Sequence, residues 1–138
     1  MEATLDTAPA ATLSTRSRWG GRVLSGVPTL FLAFDAAMKL ADVAPVRAAS
    51  ARLGLPPGVS GTLGVLELAC LALYVVPRTA ALGAVLLTGY LGGAVAMHVR
   101  LGDPLFSHTL FPVYVAVLFW GGLFLRDARV RALIGAVR

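Results

Sequence analysis

Apolar residues in this chain are gathered into long blocks, and the polar residues between them are mostly turn formers and arginines. The blocks cover about residues 20–40, 59–76, 79–99 and 110–125. Each approaches the roughly 20 apolar residues a helix needs to cross a hydrocarbon core. The breaks have a physical cause, because proline cannot continue a helix and disfavours α geometry in the residue before it. Pro56-Pro57-Gly58 precedes the second block, Pro77-Arg78-Thr79 separates the second from the third, and Gly102-Asp103-Pro104 closes the third. Pro28 lies inside the first block, where it is expected to kink the helix. Between the first and second blocks, Pro45 to Leu53 predicts a short amphipathic helix with Val46, Ala49 and Leu53 turned to lipid or to the bundle. The fold class that follows is all-α: a four-helix transmembrane bundle with a short amphipathic helix between the first and second spans.

The flanks read differently. Residues 1–18 are small and polar, without the apolar content to pack, and predict a disordered tail. Residues 19–127 form the membrane domain, and 128–138 a short basic tail predicted to be helical. Arg16, Arg18 and Arg22 precede an apolar run, as in a signal peptide. The run from Val23 to Leu40 is longer than the usual signal core and lacks a small-residue cleavage site, so it is read as an uncleaved first span.

Composition agrees with the membrane reading: 57% of residues are hydrophobic against 14% charged, and mean hydropathy is +0.79. The net charge of +5 would point to nucleic acid in a soluble protein. Here the arginines stand at block ends, which sets topology, so the partner is the lipid bilayer and no nucleic acid is expected. Arg16, Arg18, Arg22, Arg78, Arg126, Arg129, Arg131 and Arg138 fall on one side, against Lys39, Arg47, Arg52 and Arg100 on the other. The positive-inside bias then places both termini in the cytoplasm, with Trp19 and Tyr74 as interfacial anchors on that side. Cys70 is the single cysteine, which excludes an intrachain disulfide, a CxxC redox pair and a thiolate metal cluster. Gly89 and Gly93 make a GxxxG spacing that predicts close helix packing, with the third span central to the bundle.

Ionisable residues gather in one half of this arrangement. Asp35 lies about 7 Å and Glu67 about 12 Å from the outer ends of their spans at 1.5 Å per residue. Lys39, His98 and Arg100 close spans on the same side, and Asp103 and His108 occupy the outer turn. A charged carboxylate at mid-membrane depth costs on the order of 3 kcal/mol, so Glu67 should face the interior and find a partner on another helix. Lys39, His98, Arg100 and Tyr90 are the candidates. Asp35 and Lys39, spaced i and i+4, can pair on one face. His98 has an unperturbed pKa suited to proton exchange near neutrality. Asp103 also suits a turn former, and Cys70 a small apolar filler. The H-x9-H spacing of His98 and His108 matches no recognised metal site, and no metal is expected.

Beyond these patterns, LTGYLGGAVAMHVRLGDPLFSH (Leu87–His108), LFPVYVAVLFWGGLFLRD (Leu110–Asp127), GRVLSG (Gly21–Gly26) and FDAAMKL (Phe34–Leu40) resemble the DoxX-like family of small bacterial membrane proteins. The likeness covers roughly residues 19–134. That family is named for association with a membrane quinol oxidase. The resemblance implies a multi-pass protein of the bacterial inner membrane that serves a redox system as an accessory or quinone-interacting component. If catalytic, it would be an oxidoreductase subunit. The pocket candidates are Asp35, Lys39, Glu67, Tyr90, His98, Arg100, Asp103 and His108, with quinone as the ligand and membrane redox proteins or a second copy of the chain as partners. Two other readings stand beside it: a proton-coupled carrier of a small molecule or lipid, and a non-catalytic assembly factor.

Overall fold

A computed structural model describes residues 14–135. Helix α1 spans Thr15–Leu40, α2 Ala44–Arg52, α3 Val59–Val75, α4 Ala80–Leu101, α5 Phe111–Arg126 and α6 Ala128–Gly135, with a π-helical turn over Leu105–Thr109 leading into α5. The first helix starts earlier than the apolar block does. Ser14 caps it, its hydroxyl accepting the Ser17 N–H at 3.2 Å, so Thr15 to Arg18 of the expected tail are helical. The remainder of that tail, 1–13, and residues 136–138 lie outside the described residues.

Helices α1, α3, α4 and α5 form a ring in which each packs on two neighbours, α1 on α3 and α5, and α4 on α3 and α5. Neighbours run antiparallel. Gly64 near the start of α3 meets Ala36 and Lys39 near the end of α1, and Gly21 near the start of α1 meets Gly122 and Arg126 near the end of α5. The start of α1 and the end of α5 therefore share one end of the bundle. We call it the terminal end, and the other the loop end.

Two contacts at the terminal end set the helix spacing. A Cβ on Gly83 would stand 2.3 Å from the Tyr74 nitrogen, and one on Gly122 2.3 Å from the Ser25 hydroxyl, so backbones touch there. The GxxxG pair behaves otherwise. Gly89 and Gly93 have no atom of another helix within 4 Å of a Cβ position, so close packing through them is not what joins α4 to its neighbours, and α4 is one member of a ring with no central helix. The expectation overweighted spacing, which cannot tell a glycine against a helix from one facing open space.

Outside the ring the surface is apolar. Val23, Val27, Leu30 and Phe34 make one exposed stripe along α1, with Leu30 74% exposed. A surface of this kind suits lipid better than water. Thr15–Leu40, Ala80–Leu101 and Leu105–Arg126 are long and apolar enough to cross a membrane, while Val59–Val75 is a shorter apolar helix packed between α1 and α4.

Tyr74 departs from its reading as an interfacial anchor. It is 1% exposed, its hydroxyl is 2.8 Å from the Ser25 hydroxyl and donates to the Phe119 carbonyl at 2.8 Å, and its ring meets Phe119 edge-on at 4.6 Å. A phenol accepted by two helices can be buried because its polar tip is satisfied. Trp19, 60% exposed, keeps the position expected of an anchor, with the Arg22 guanidinium 5.5 Å from its ring.

Candidate functional site

The loop end of the ring encloses a cavity of about 660 Å³. Its walls are mainly apolar: Phe31 and Leu32 from α1, Leu63 from α3, Met97 from α4, and Phe111 and Val115 from α5. Gly89, Gly93 and Ala94 also border it, so the missing side chains on α4 become volume. Helix α2 closes the loop end, contributing Val46, Ala49 and Ser50, with Leu53 just after it. Pro45 opens α2 near its first helical position, where no N–H is needed. Ser50 and Ser60 hydroxyls, 2.7 Å apart, fasten α2 to α3.

One wall carries a joined polar cluster. The Lys39 ammonium donates to the Asp35 carboxylate one turn back, to Glu67 Oε2 at 2.8 Å and to the Tyr90 hydroxyl at 2.8 Å. Tyr90 in turn donates to Glu67 Oε2 at 3.0 Å. Three helices converge on one ammonium. Asp35, Lys39 and Tyr90 border the cavity, whereas Glu67 is fully buried behind them. Its second oxygen, Oε1, is buried with no hydrogen-bond partner among the described residues. An orphaned carboxylate oxygen is a natural place for a proton.

A second polar group stands about two turns along α4 from Tyr90. His98 borders the cavity, and its Nδ1 is 2.6 Å from Asp103 Oδ2. The other Asp103 oxygen accepts from Arg52 at the end of α2, and the Asp103 carbonyl accepts from the Thr109 hydroxyl at 3.2 Å. Asp103 is placed by Gly102, whose left-handed backbone (φ 67°) ends α4, a conformation that glycine adopts freely. The hydrogen bond from His98, reinforced by Arg52, holds the Asp103 carboxyl below the usual carboxylate range. A neutral His98 that donates from Nδ1 keeps Nε2 as an acceptor.

The remaining candidates do not reach the cavity. Arg100 turns back to donate to the Leu53 carbonyl, and His108 pairs with the Ser107 hydroxyl at 2.8 Å while meeting the His98 ring edge-on at 6.0 Å. Sequence reasoning gave no role to Arg52, whose partner lies 51 positions away. It also passed over the Ser50–Ser60 pair. Periodicity on α2 was the available signal for that helix, and it did mark Val46, Ala49 and Leu53. Among the described residues no group of three or more His, Cys, Asp or Glu could hold a metal ion.

The sequence pattern of the DoxX-like family matches residues 23–122. The chain belongs to the DoxX-like family. No curated protein and no solved structure matches it. In this DoxX-like protein the matched stretch includes Asp35, Lys39, Glu67, Tyr90, His98 and Asp103, together with every residue that lines the loop-end cavity.

Proposed function

We propose that this DoxX-like protein binds a lipid-soluble molecule with a carbonyl or hydroxyl headgroup, of the quinone and quinol class, as an accessory component of a membrane redox system. The carrying observation is the loop-end cavity with Asp35, Lys39, Tyr90 and His98 on its border and mainly apolar walls elsewhere. Small-molecule sites have this character: a mostly apolar hollow of a few hundred Å³ with a few convergent polar groups. The polar set fits a quinol headgroup: the protons of Lys39 and Tyr90 are taken within the cluster, but the Asp35 carboxylate, the Tyr90 oxygen and His98 Nε2 can each accept from a hydroxyl, while Phe31, Met97 and Phe111 supply apolar wall. A bound quinone would supply two-electron chemistry linked to protons. The chain's own part is to place hydrogen-bonding groups and to hold protons. One ammonium faces two carboxylates in the cluster, so a neutral cluster holds one further proton, and the unpartnered Glu67 Oε1 can carry it. Tyr90 and Lys39 lie between that carboxyl and the cavity.

Arginine placement supports cytoplasmic termini in a bacterial inner membrane, with the cavity on the opposite, extracytoplasmic half. A proton-coupled carrier is the second reading, favoured by the buried Glu67. The closed packing of Tyr74, Phe119 and Leu123 at the terminal end, each 1% exposed, supports the first instead.

Binding of short-chain ubiquinone and menaquinone analogues to the purified protein in nanodiscs tests the proposal. Saturable binding is expected, weakened about tenfold by Tyr90→Phe, the scale of one lost hydrogen bond in a dry site. Absence of quinone binding to folded protein would refute it. Proton-coupled uptake into liposomes, lost in Glu67→Gln, would select the carrier.

A further inference from the structure

A second cavity, of about 240 Å³, lies at the terminal end and is bordered by Arg18 and Arg22 of α1, Ala80 of α4, and Arg126 and Asp127 at the end of α5. Its chemistry is unlike that of the first. Arg18 and Arg22 are spaced i and i+4 on one helical face, and among the described residues neither guanidinium has a carboxylate partner. Arg126 is held in place by its own bonds: one terminal nitrogen donates to the Tyr74 carbonyl at 3.2 Å, and its guanidinium stacks over the Tyr74 ring at 4.8 Å. Its Nε is buried and has no acceptor among the described residues. The single acid there, Asp127, is already engaged, accepting the Arg129 N–H at 2.9 Å and the Arg129 side chain at 3.4 Å. The first turn of α4 also opens on the cavity through Ala80, and Thr79 does not cap that helix with its side chain.

Two guanidiniums without a carboxylate partner among the described residues, a third held beside them and an uncapped helix start all suit an anion with several oxygens. Planar guanidiniums suit phosphate in particular, because they donate in a fixed fork. We propose that this pocket binds a phosphate group, and its place at the end of an apolar bundle makes an anionic phospholipid headgroup its natural carrier. Arg18 and Arg22 approach the phosphate from α1, and Arg126, locked by Tyr74, adds its charge at the border from α5. The ligand thereby bridges the two helices whose backbones touch at Gly21 and Gly122. This site is separate from the loop-end cavity, and its assignment does not depend on what that cavity holds.

The test uses the full chain in detergent, titrated with phosphatidylglycerol or phosphatidylcholine and followed by native mass spectrometry and thermal unfolding. Phosphatidylglycerol should be retained and should raise the melting temperature more than phosphatidylcholine does. The Arg18→Gln, Arg22→Gln double variant should lose roughly 30-fold in phosphatidylglycerol affinity, about fivefold per arginine near a membrane surface. Both side chains are exposed, so the variant should fold. A control that removes the same charge from residues that do not line the pocket, Arg16→Gln with Arg78→Gln, should keep more of the affinity than the double variant does. Inorganic phosphate at millimolar concentration separates the two sources. Stabilisation by phosphate alone, lost in the double variant, identifies a soluble anion as sufficient, and stabilisation by phosphatidylglycerol only identifies the lipid. The proposal is overturned if neither phosphate nor phosphatidylglycerol stabilises the protein beyond phosphatidylcholine, or if the control loses as much affinity as the double variant.

Discussion

Lys39 holds Asp35, Glu67 and Tyr90 together, so its replacement tests the cluster most directly. Lys39→Met removes the only cation from a fully buried Glu67 carboxylate, and breaking a buried pair from one side costs about 3–5 kcal/mol. Glu67→Gln keeps an acceptor for Lys39 and should cost far less. Thermal unfolding of both variants in the same detergent checks the ranking, and equal, small losses would mean the pair contributes little. The Asp35–Lys39 contact was legible from spacing alone, because i and i+4 positions on a helix must be neighbours. That Glu67 would need a partner was legible from burial cost, and Lys39 and Tyr90 stood among the candidates. Arg100 was equally plausible by position. It points elsewhere because the Leu53 carbonyl after α2 leaves an acceptor for it, a detail of loop geometry that no spacing encodes. Tyr74 was misread for a related reason. An amphipathic ring near a span end suits an interface, and only the placement of Ser25 and the Phe119 carbonyl shows that its hydroxyl is satisfied inside.

Among the elements, α4 joins opposite kinds of glycine. Gly83 lies against the α3 backbone, whereas Gly93 borders the loop-end cavity with nothing within 4 Å. Gly83→Ala forces backbone apart and should destabilise by roughly 1–3 kcal/mol, on the scale of other overpacked sites. Gly93→Ala should be neutral or stabilising by up to about 1 kcal/mol through helix propensity, while reducing the cavity. Melting temperatures of the two variants should therefore move in opposite directions. Helix α2 offers a pH test. Asp103 ties His98 to Arg52, and its carboxyl is held below the usual range. A depressed carboxyl adds stability above its unfolded value, about pH 3.9, and that stability is lost as pH falls through the lower folded value. Amide exchange in α2 should stay slow through pH 4 and rise only in stronger acid, whereas Asp103→Asn should raise it at neutral pH. The apolar helices themselves were legible because apolar blocks of this length have few alternatives. Their ends were less so: α1 begins at Thr15 through the Ser14 cap, a local hydrogen bond that hydropathy does not register.

For the whole molecule, the ring of antiparallel helices puts the start of α1 and the end of α5 at the same end, and the arginine-rich surface goes with them. Cysteine labelling from either side of the membrane, in a Cys70→Ala background with single cysteines at Arg129 and Arg47, should modify the Arg129 site only from the cytoplasm and the Arg47 site only from outside. The reverse pattern would invert the topology and move the cavity to the cytoplasmic half. The bundle and its polar half could be read from the chain because charge and hydropathy accumulate over many residues. The cavity could not, since it arises where side chains are missing on α4 and where α2 folds over, and both depend on how separate elements meet.

The knot of Tyr74, Ser25 and Phe119 has a consequence for traffic. It stoppers the terminal half of the bundle with satisfied, immobile groups, so the hollow above it is a blind alley. Whatever lodges there must come and go by the same doorway, past α2 or sideways out of the nearer leaflet. On the reading proposed above, such a chain would hold and exchange a guest and not hand it across.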